Sequence, residues 1–404
     1  MKKTSLILLV AIILIASMTL MSCDMLSNLI CKCNTTTTTV GNGSPNGNPT
    51  TTTGDRWPNN NPTTTIPTTT NPNDGPNGDV VSGDYTLGMG ITFDEITNAQ
   101  MNMTVAAVVL DAQGKILACR IDVVHNKYTI NYDNEEIEFK NWETKMELGD
   151  RFGMGGMPWA MDNDGDGRVL EWYQQALAFE QYVVGKTVDE IAAMTTTSVN
   201  NRLISTDADL LSAGCTIQIT EFLEAVIKAC NDEQAFHFEK VDEFVLGLGV
   251  NSENDGSNFD DNGAVVKVMV EFAASVVVDG KIVASLNDAA QPQARFDWDG
   301  KGIGLSVGKG DGILKTKREL KEDYLMSKYF VDNNGDGVSL EWYLQSAAFS
   351  AHVVGMTGAE VTKMSTQLVN SHYISNDADL LNAGCTIQIT GMKAVVAESA
   401  VNAR

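Results

Sequence analysis

Positive charge is scarce in this chain. Lysine and arginine number 28 against 52 aspartates and glutamates, a net charge of −24 over 404 residues. Nucleic-acid binding needs clustered cations to displace phosphate counterions, so this balance argues against it. It argues equally against docking on an anionic membrane surface by charge alone. Histidine is rarer still: the four, at 125, 237, 352 and 372, show no metal-ligand spacing and form no Ser-His-Asp or Cys-His constellation. A phosphate loop is also missing. Gly185-Lys186-Thr187 has no upstream glycine at the required distance, and its second copy reads Gly355-Met356-Thr357. The apolar run from Leu6 to Met18 is too short to cross a bilayer.

What is present begins with an export signal. Lys2 and Lys3 precede the apolar run, and Leu20-Met21-Ser22-Cys23 follows it, so residues 1–22 read as a signal peptide. The Leu-Met-Ser-Cys ending resembles the lipobox of bacterial lipoproteins, which implies cleavage before Cys23 and acylation of its sulfur. Loss of Lys2 and Lys3 would take the charge from −24 to −26, leaving the acyl chains to hold the protein to the lipid bilayer. The expected location is the outer face of the cell membrane. Residues 23–83 carry the anchor and a tract that from residue 34 is nearly all Thr, Asn, Pro and Gly, which has too little apolar surface to offset its ordering entropy. Between 34 and 80 such a spacer reaches about 40 Å as a coil and about 140 Å when fully extended.

The remainder is a tandem repeat of 84–234 and 242–404. DNDGDGRVLEWYQQALAFEQYVVGKT from Asp162 returns as DNNGDGVSLEWYLQSAAFSAHVVGMT from Asp332, and DADLLSAGCTIQIT (207–220) returns as DADLLNAGCTIQIT (377–390) with thirteen of fourteen positions kept. Units of this size are whole domains rather than solenoid repeats. AAVVLDAQGKILACRIDVV predicts two strands around an Asp/Gly turn. Trp172, Ala176, Phe179 and Val183 lie on one helical face, and Trp342, Ser346, Phe349 and Val353 repeat it. Gly185 and Gly355 stand where C-cap glycines belong. Thr187 with Glu190, and Thr357 with Glu360, form capping boxes. CTIQIT reads as a strand, with Thr220 capping the following helix. The fold class is α+β: an antiparallel sheet packed with helices, in two tandem copies.

Two segments could carry chemistry. In DNDGDG and DNNGDG, Asp162, Asp164 and Asp166, and then Asp332, Asn334 and Asp336, have the alternating oxygens of a Ca2+ loop. The closing position holds Tyr173 or Tyr343, and Glu171 and Glu341 come two residues too early, so a polar turn entering the helix remains the alternative. A calcium-stabilised surface module for binding or adhesion is the function that the calcium reading would imply. A solute receptor fits less well, since such receptors clamp ligand between two lobes of one fold. Cys119 and Cys230, both in the first copy, could pair as a disulfide in an exported protein.

Five pieces in order, each with a counterpart in the second copy, resemble a bacterial extracytoplasmic FMN-binding domain: a strand ending LGMG, a V-x-D-x-x-GKI hairpin, a TK-x-ELG turn, the EWYQQALAFEQYVVGKT helix and the closing DADLLSAGCTI. The resemblance implies a flavoprotein that relays electrons at the cell surface from a membrane redox donor to an extracellular acceptor. It also implies a flavin transferase that joins FMN through its phosphate to a hydroxyl in a D-x-x-[ST]-G-A-[TS] motif. Counted from Asp209, Ser212 fits that motif, Ala213-Gly214 reverses its small pair, Cys215 takes the hydroxyl position and Thr216 follows. In the second copy Asp379 is followed by Asn382, Cys385 and Thr386. The candidate attachment residues are therefore Thr216 and Thr386, expected on an exposed loop, with Asp209 and Asp379 as the matching acids. Loss of attachment with retention of the shape is the alternative.

Overall fold

The computed structural model describes residues 85–404 apart from 157–161, 163–166, 168, 308–309, 312–313, 327–336 and 338. The predicted signal peptide, Cys23 and the predicted spacer lie outside the described residues.

In the first half, β1 (Tyr85–Ile96), β2 (Gln100–Leu110), β3 (Ile116–Asn131) and β4 (Glu136–Asn141) form an antiparallel meander. A small hairpin of β5 (Thr196–Val199) and β6 (Arg202–Ser205) follows the long helix Trp172–Val183. The segment between the halves becomes β7 (Phe236–Phe238), which pairs with the free edge of β1. The second half repeats the core of this plan with β8 (Val245–Asn254), β10 (Gly263–Val278) and β11 (Lys281–Ala290), after the short β9 (Asn258–Asp260). The far end of β10 also pairs β12 (Pro292–Phe296), extended by β13 (Gly302–Val307) and β14 (Gly310–Asp311). A second small hairpin, β15 (Thr366–Val369) and β16 (His372–Ser375), matches β5 and β6.

Alternation along the strands places the layers. Met101, Met103, Val105, Ala107 and Val109 of β2 share one buried cluster with Val268, Val270, Phe272, Ala274 and Val276 of β10. The inner faces of the two sheets therefore pack on each other. The opposite face of β2, with Ala106 and Val108, packs under Trp172, Phe179, Phe222 and Val226. Ala273 and Val277 of β10 do the same under Trp342, Phe349, Val395 and Val396. The result is helix, sheet, sheet, helix, in the α+β class that the sequence predicts. Each half keeps its own helical layer, but the central core is common and the described residues cluster as one unit.

The glycines of LGMG and LGLG explain how closely the helices sit. A Cβ on Gly88 would stand 2.0 Å from the Ala229 carbonyl oxygen, and one on Gly247 would stand 1.8 Å from that of Ser399. Only glycine allows the helices Thr220–Cys230 and Thr390–Val401 to approach these strands so closely.

Charged groups fasten the halves. Arg318 Nη2 donates to both carboxylate oxygens of Asp232 at 3.2 and 3.1 Å and to Gln234 O at 2.7 Å. Arg120 Nε donates to Leu246 O at 3.0 Å, and the buried Glu180 pairs with both Arg120 and Arg404.

Two expectations are corrected. CTIQIT is irregular rather than strand, because its N–H groups go to scattered partners: Thr216 bonds to the Gln175 side chain, Cys215 to Leu210 O, and only Ile219 reaches strand β6, at Leu203 O. Thr220 is the first residue of its helix, not the cap; Ile219 holds the cap position, and Thr220 Oγ1 donates to Glu221 Oε2 at 2.8 Å.

Candidate functional site

The twice-kept DADLL segment is a latch. Asp207 Oδ1 accepts from the N–H groups of Asp209 and Leu210 and opens the short helix Ala208–Ser212. Leu210 is buried, Gly214 turns the chain at φ +90°, and Cys215 enters the core. Thr216 then donates its N–H to Gln175 Oε1 at 2.9 Å and its hydroxyl to the same atom at 3.3 Å. Gln175 in turn donates to Leu170 O at 2.8 Å. The second half is nearly superposable in its bonding: Asp377 caps, Gly384 turns at φ +88°, and Thr386 donates to Gln345 Oε1 at 2.8 and 3.3 Å.

This placement alters the expected attachment site. Thr216 and Thr386 are 6% and 2% exposed, not on an open loop, because Gln175 and Gln345 draw both hydroxyls inward. Asp209, Ser212 and Asp379 face solvent on the outer side of the latch. Thr216 is thus separated from the acid and serine that surround it in sequence.

The candidate calcium loops are only partly described. Asp164, Asp166, Asp332, Asn334 and Asp336 lie outside the described residues. Asp162 Oδ2 accepts the Gly167 N–H at 2.5 Å. Glu171 contributes to another turn: Oε2 accepts from Met154 N at 2.7 Å and Oε1 from Gly155 N at 3.0 Å. Glu341 Oε2 accepts from Met326 N at 2.8 Å. Among the described residues no group of three His, Cys, Asp or Glu side chains is placed to hold a metal. Cys119 and Cys230 are free thiols, so the possible disulfide is not formed in this structure.

The feature that the sequence did not reveal is a cleft of about 640 Å³ in the first half, a size typical of ligand sites. Its apolar walls are Phe152, Trp172 and Phe222. Ile217 and Gln218, the two residues after Thr216, form part of the rim. Lys127, Lys145 and Arg202 bring cationic groups to it, in a chain whose net charge is −24. Lys145 Nζ lies 5.4 Å from the Trp172 ring centroid and 5.5 Å from that of Phe152. Asp94 and Glu221 are the acidic members. Asp94 is held by the hydroxyls of Thr92 and Thr104 at 2.7 and 2.6 Å, and burial pushes its carboxyl up to about 6.

His125 lines the cleft. It is 7% exposed, and its Nδ1 donates to Asn102 Oδ1 at 3.0 Å. Its Nε2 is buried without a hydrogen-bond partner. Burial, with Lys145 and Lys127 nearby, lowers its pKa to about 3, so the ring is neutral and Nε2 presents a lone pair. A buried acceptor left unmatched costs about 1–3 kcal/mol, which a ligand N–H could recover.

Over 123 residues the chain is 29% identical to chlorophenol reductase of Desulfitobacterium hafniense, covering 26% of this chain and 35% of that protein. It thus spans about a third of that relative's length. No family model matches the chain, and no solved structure matches it.

Proposed function

We propose that this protein is a lipid-anchored flavoprotein that relays electrons at the outer face of a cell membrane, with FMN seated in the first-half cleft. The observation that carries this reading is the buried, unpartnered His125 Nε2 in a cleft with aromatic walls and a cationic rim. The residues fit such a group. His125 would accept from a ring N–H, while Phe152, Trp172 and Phe222 would shield the ring from water. Lys127, Lys145 and Arg202 would compensate a phosphate. Partial likeness to a protein named as a reductase points the same way. Bound flavin would supply the electron transfer itself; the chain supplies position and electrostatics.

Thr216 borders this cleft through Ile217 and is the attachment residue we favour. Esterification would join its Oγ1 to the FMN phosphorus of a flavin dinucleotide. The pyrophosphate bond breaks, AMP leaves, and the hydroxyl proton passes to solvent. The hydroxyl must first leave Gln175, which the flavin transferase would have to bring about. The electron donor would be a membrane redox partner and the acceptor extracellular, with Cys23 acylated in the bilayer. A peptide map of chain co-expressed with a flavin transferase tests this. An FMN ester on the peptide containing Thr216 is expected; the absence of any flavin, bound or esterified, would remove the redox reading.

A second reading, calcium stabilisation of a surface binding module, is favoured by the hydrogen bond from Gly167 N–H to the Asp162 carboxylate. Melting with calcium and with chelator decides it, because an ion bound only to the folded state must raise the midpoint.

A further inference from the structure

We infer that the two halves have diverged in role: the first takes a planar anionic ring ligand, while the second has filled the corresponding space with its own side chains, so that one chain binds one flavin. This rests on the reading of the first-half cleft given above.

The strand registers fix which residues correspond. Val105 pairs with Asp122, and Phe272 pairs with Asp288. Thr104 therefore corresponds to Glu271, Asn102 to Met269 and His125 to Gln291. The TK-x-EL turns match Lys145 with Lys317 and Phe152 with Tyr324, and the constant spacing of the latch matches Glu221 with Gly391.

Each replacement fills or satisfies the second site. The Glu271 carboxylate occupies space where a side chain on the helix would go, since a Cβ on Gly391 would lie 1.6 Å from Glu271 Oε2. The small hydroxyl of Thr104 and the long acid of Glu221 have thus been exchanged for a long acid on the strand and no side chain on the helix. Lys317 is 7% exposed, with Nζ 3.9 Å from Met269 Sδ, whereas Lys145 is only half-buried. Tyr324 Oη donates to Gln291 Oε1 at 3.0 Å, and Gln291 Nε2 donates to Asp255 Oδ2 at 3.1 Å. The counterpart of His125 is therefore bonded at both ends, while His125 retains an unmatched acceptor.

The test is titration of the full chain with free FMN, following flavin fluorescence, beside Thr104→Glu, His125→Gln and Gln291→Ala. One equivalent is expected. Thr104→Glu and His125→Gln, which install second-half residues, should weaken binding tenfold or more, with circular dichroism confirming the fold; Gln291→Ala should leave affinity unchanged. His125→Gln is the conservative variant should Thr104→Glu fail to fold. Two equivalents, or an ester on both Thr216 and Thr386, would overturn this inference and leave the redox reading standing. One equivalent of free FMN in this titration supports this inference alone; Thr216 left unmodified after co-expression with a flavin transferase would remove the attachment and leave this inference intact. No FMN bound at all would remove both.

Discussion

Gln175 Oε1 accepts both the N–H and the hydroxyl of Thr216, at 2.9 and 3.3 Å, and Gln345 does the same for Thr386. This pairing accounts for much of the identity between the two DADLL segments. A glutamine on the long helix holds a threonine that ends the latch, and the glycine before it allows the turn. Gln175→Ala should destabilise the fold by about 1–3 kcal/mol in urea, because it strands a buried N–H. If the hydroxyl must leave Gln175 before esterification, the same variant should also take up flavin at Thr216 faster in the presence of transferase.

Gly88→Ala and Gly247→Ala should each cost about 1–3 kcal/mol or more, since the new methyl would meet a helix carbonyl at 2.0 or 1.8 Å. Gly114→Ala is the control. It suffers only from its φ of +73°, with nothing within 4 Å of the added atom, and should cost about 1 kcal/mol. Equal losses at all three sites in denaturant titrations would contradict the close helix approach.

Because one core serves both sheets, heat should unfold residues 85–404 in a single calorimetric transition. Arg318→Ala leaves the buried Asp232 without its partner and should cost about 3–5 kcal/mol while keeping the transition single. Two separate transitions in the wild type would show that the halves fold independently.

Asp122 sets a pH dependence. Burial raises its carboxyl to about 7, against bonds from Thr144, Met146 N and Val123 N that pull it down. Its folded pKa lies above the ordinary carboxylate value. Its contribution is therefore fully present below about pH 4 and is lost as pH rises through 7. Asp122→Asn keeps the acceptor but removes the titration, so the fall in stability from pH 4 to 7 should be shallower in the variant than in the wild type. His125 acts with the opposite sign. Its lowered pKa makes stability fall as pH drops from about 6.5 towards 3, and His125→Gln should remove that loss.

Much of the scaffold was legible in the sequence because local chemistry fixed it. The helix from Trp172, the glycine turns at 185 and 355, and the capping boxes at Thr187 and Thr357 all stand as their spacing predicts. The latch misled for a physical reason. Six residues with alternating apolar character read as a strand, yet the partner of Thr216 is a glutamine 41 positions away, which no local pattern announces. The cleft was invisible for the same reason. His125 and Asn102 lie on adjacent strands, Trp172 on a helix and Arg202 on a hairpin, so their meeting depends on tertiary packing alone. The two copies did contain a usable signal: Thr104, His125 and Glu221 depart from Glu271, Gln291 and Gly391, but pairing them requires the strand register.

The most direct measurement is a crystal structure of the full chain with FMN. Three fused rings should appear in the first-half cleft between Phe152 and Trp172, with a ring N–H on His125 Nε2 and the phosphate towards the cationic rim. A cleft without flavin, or flavin bound in the second half instead, would contradict the assignment.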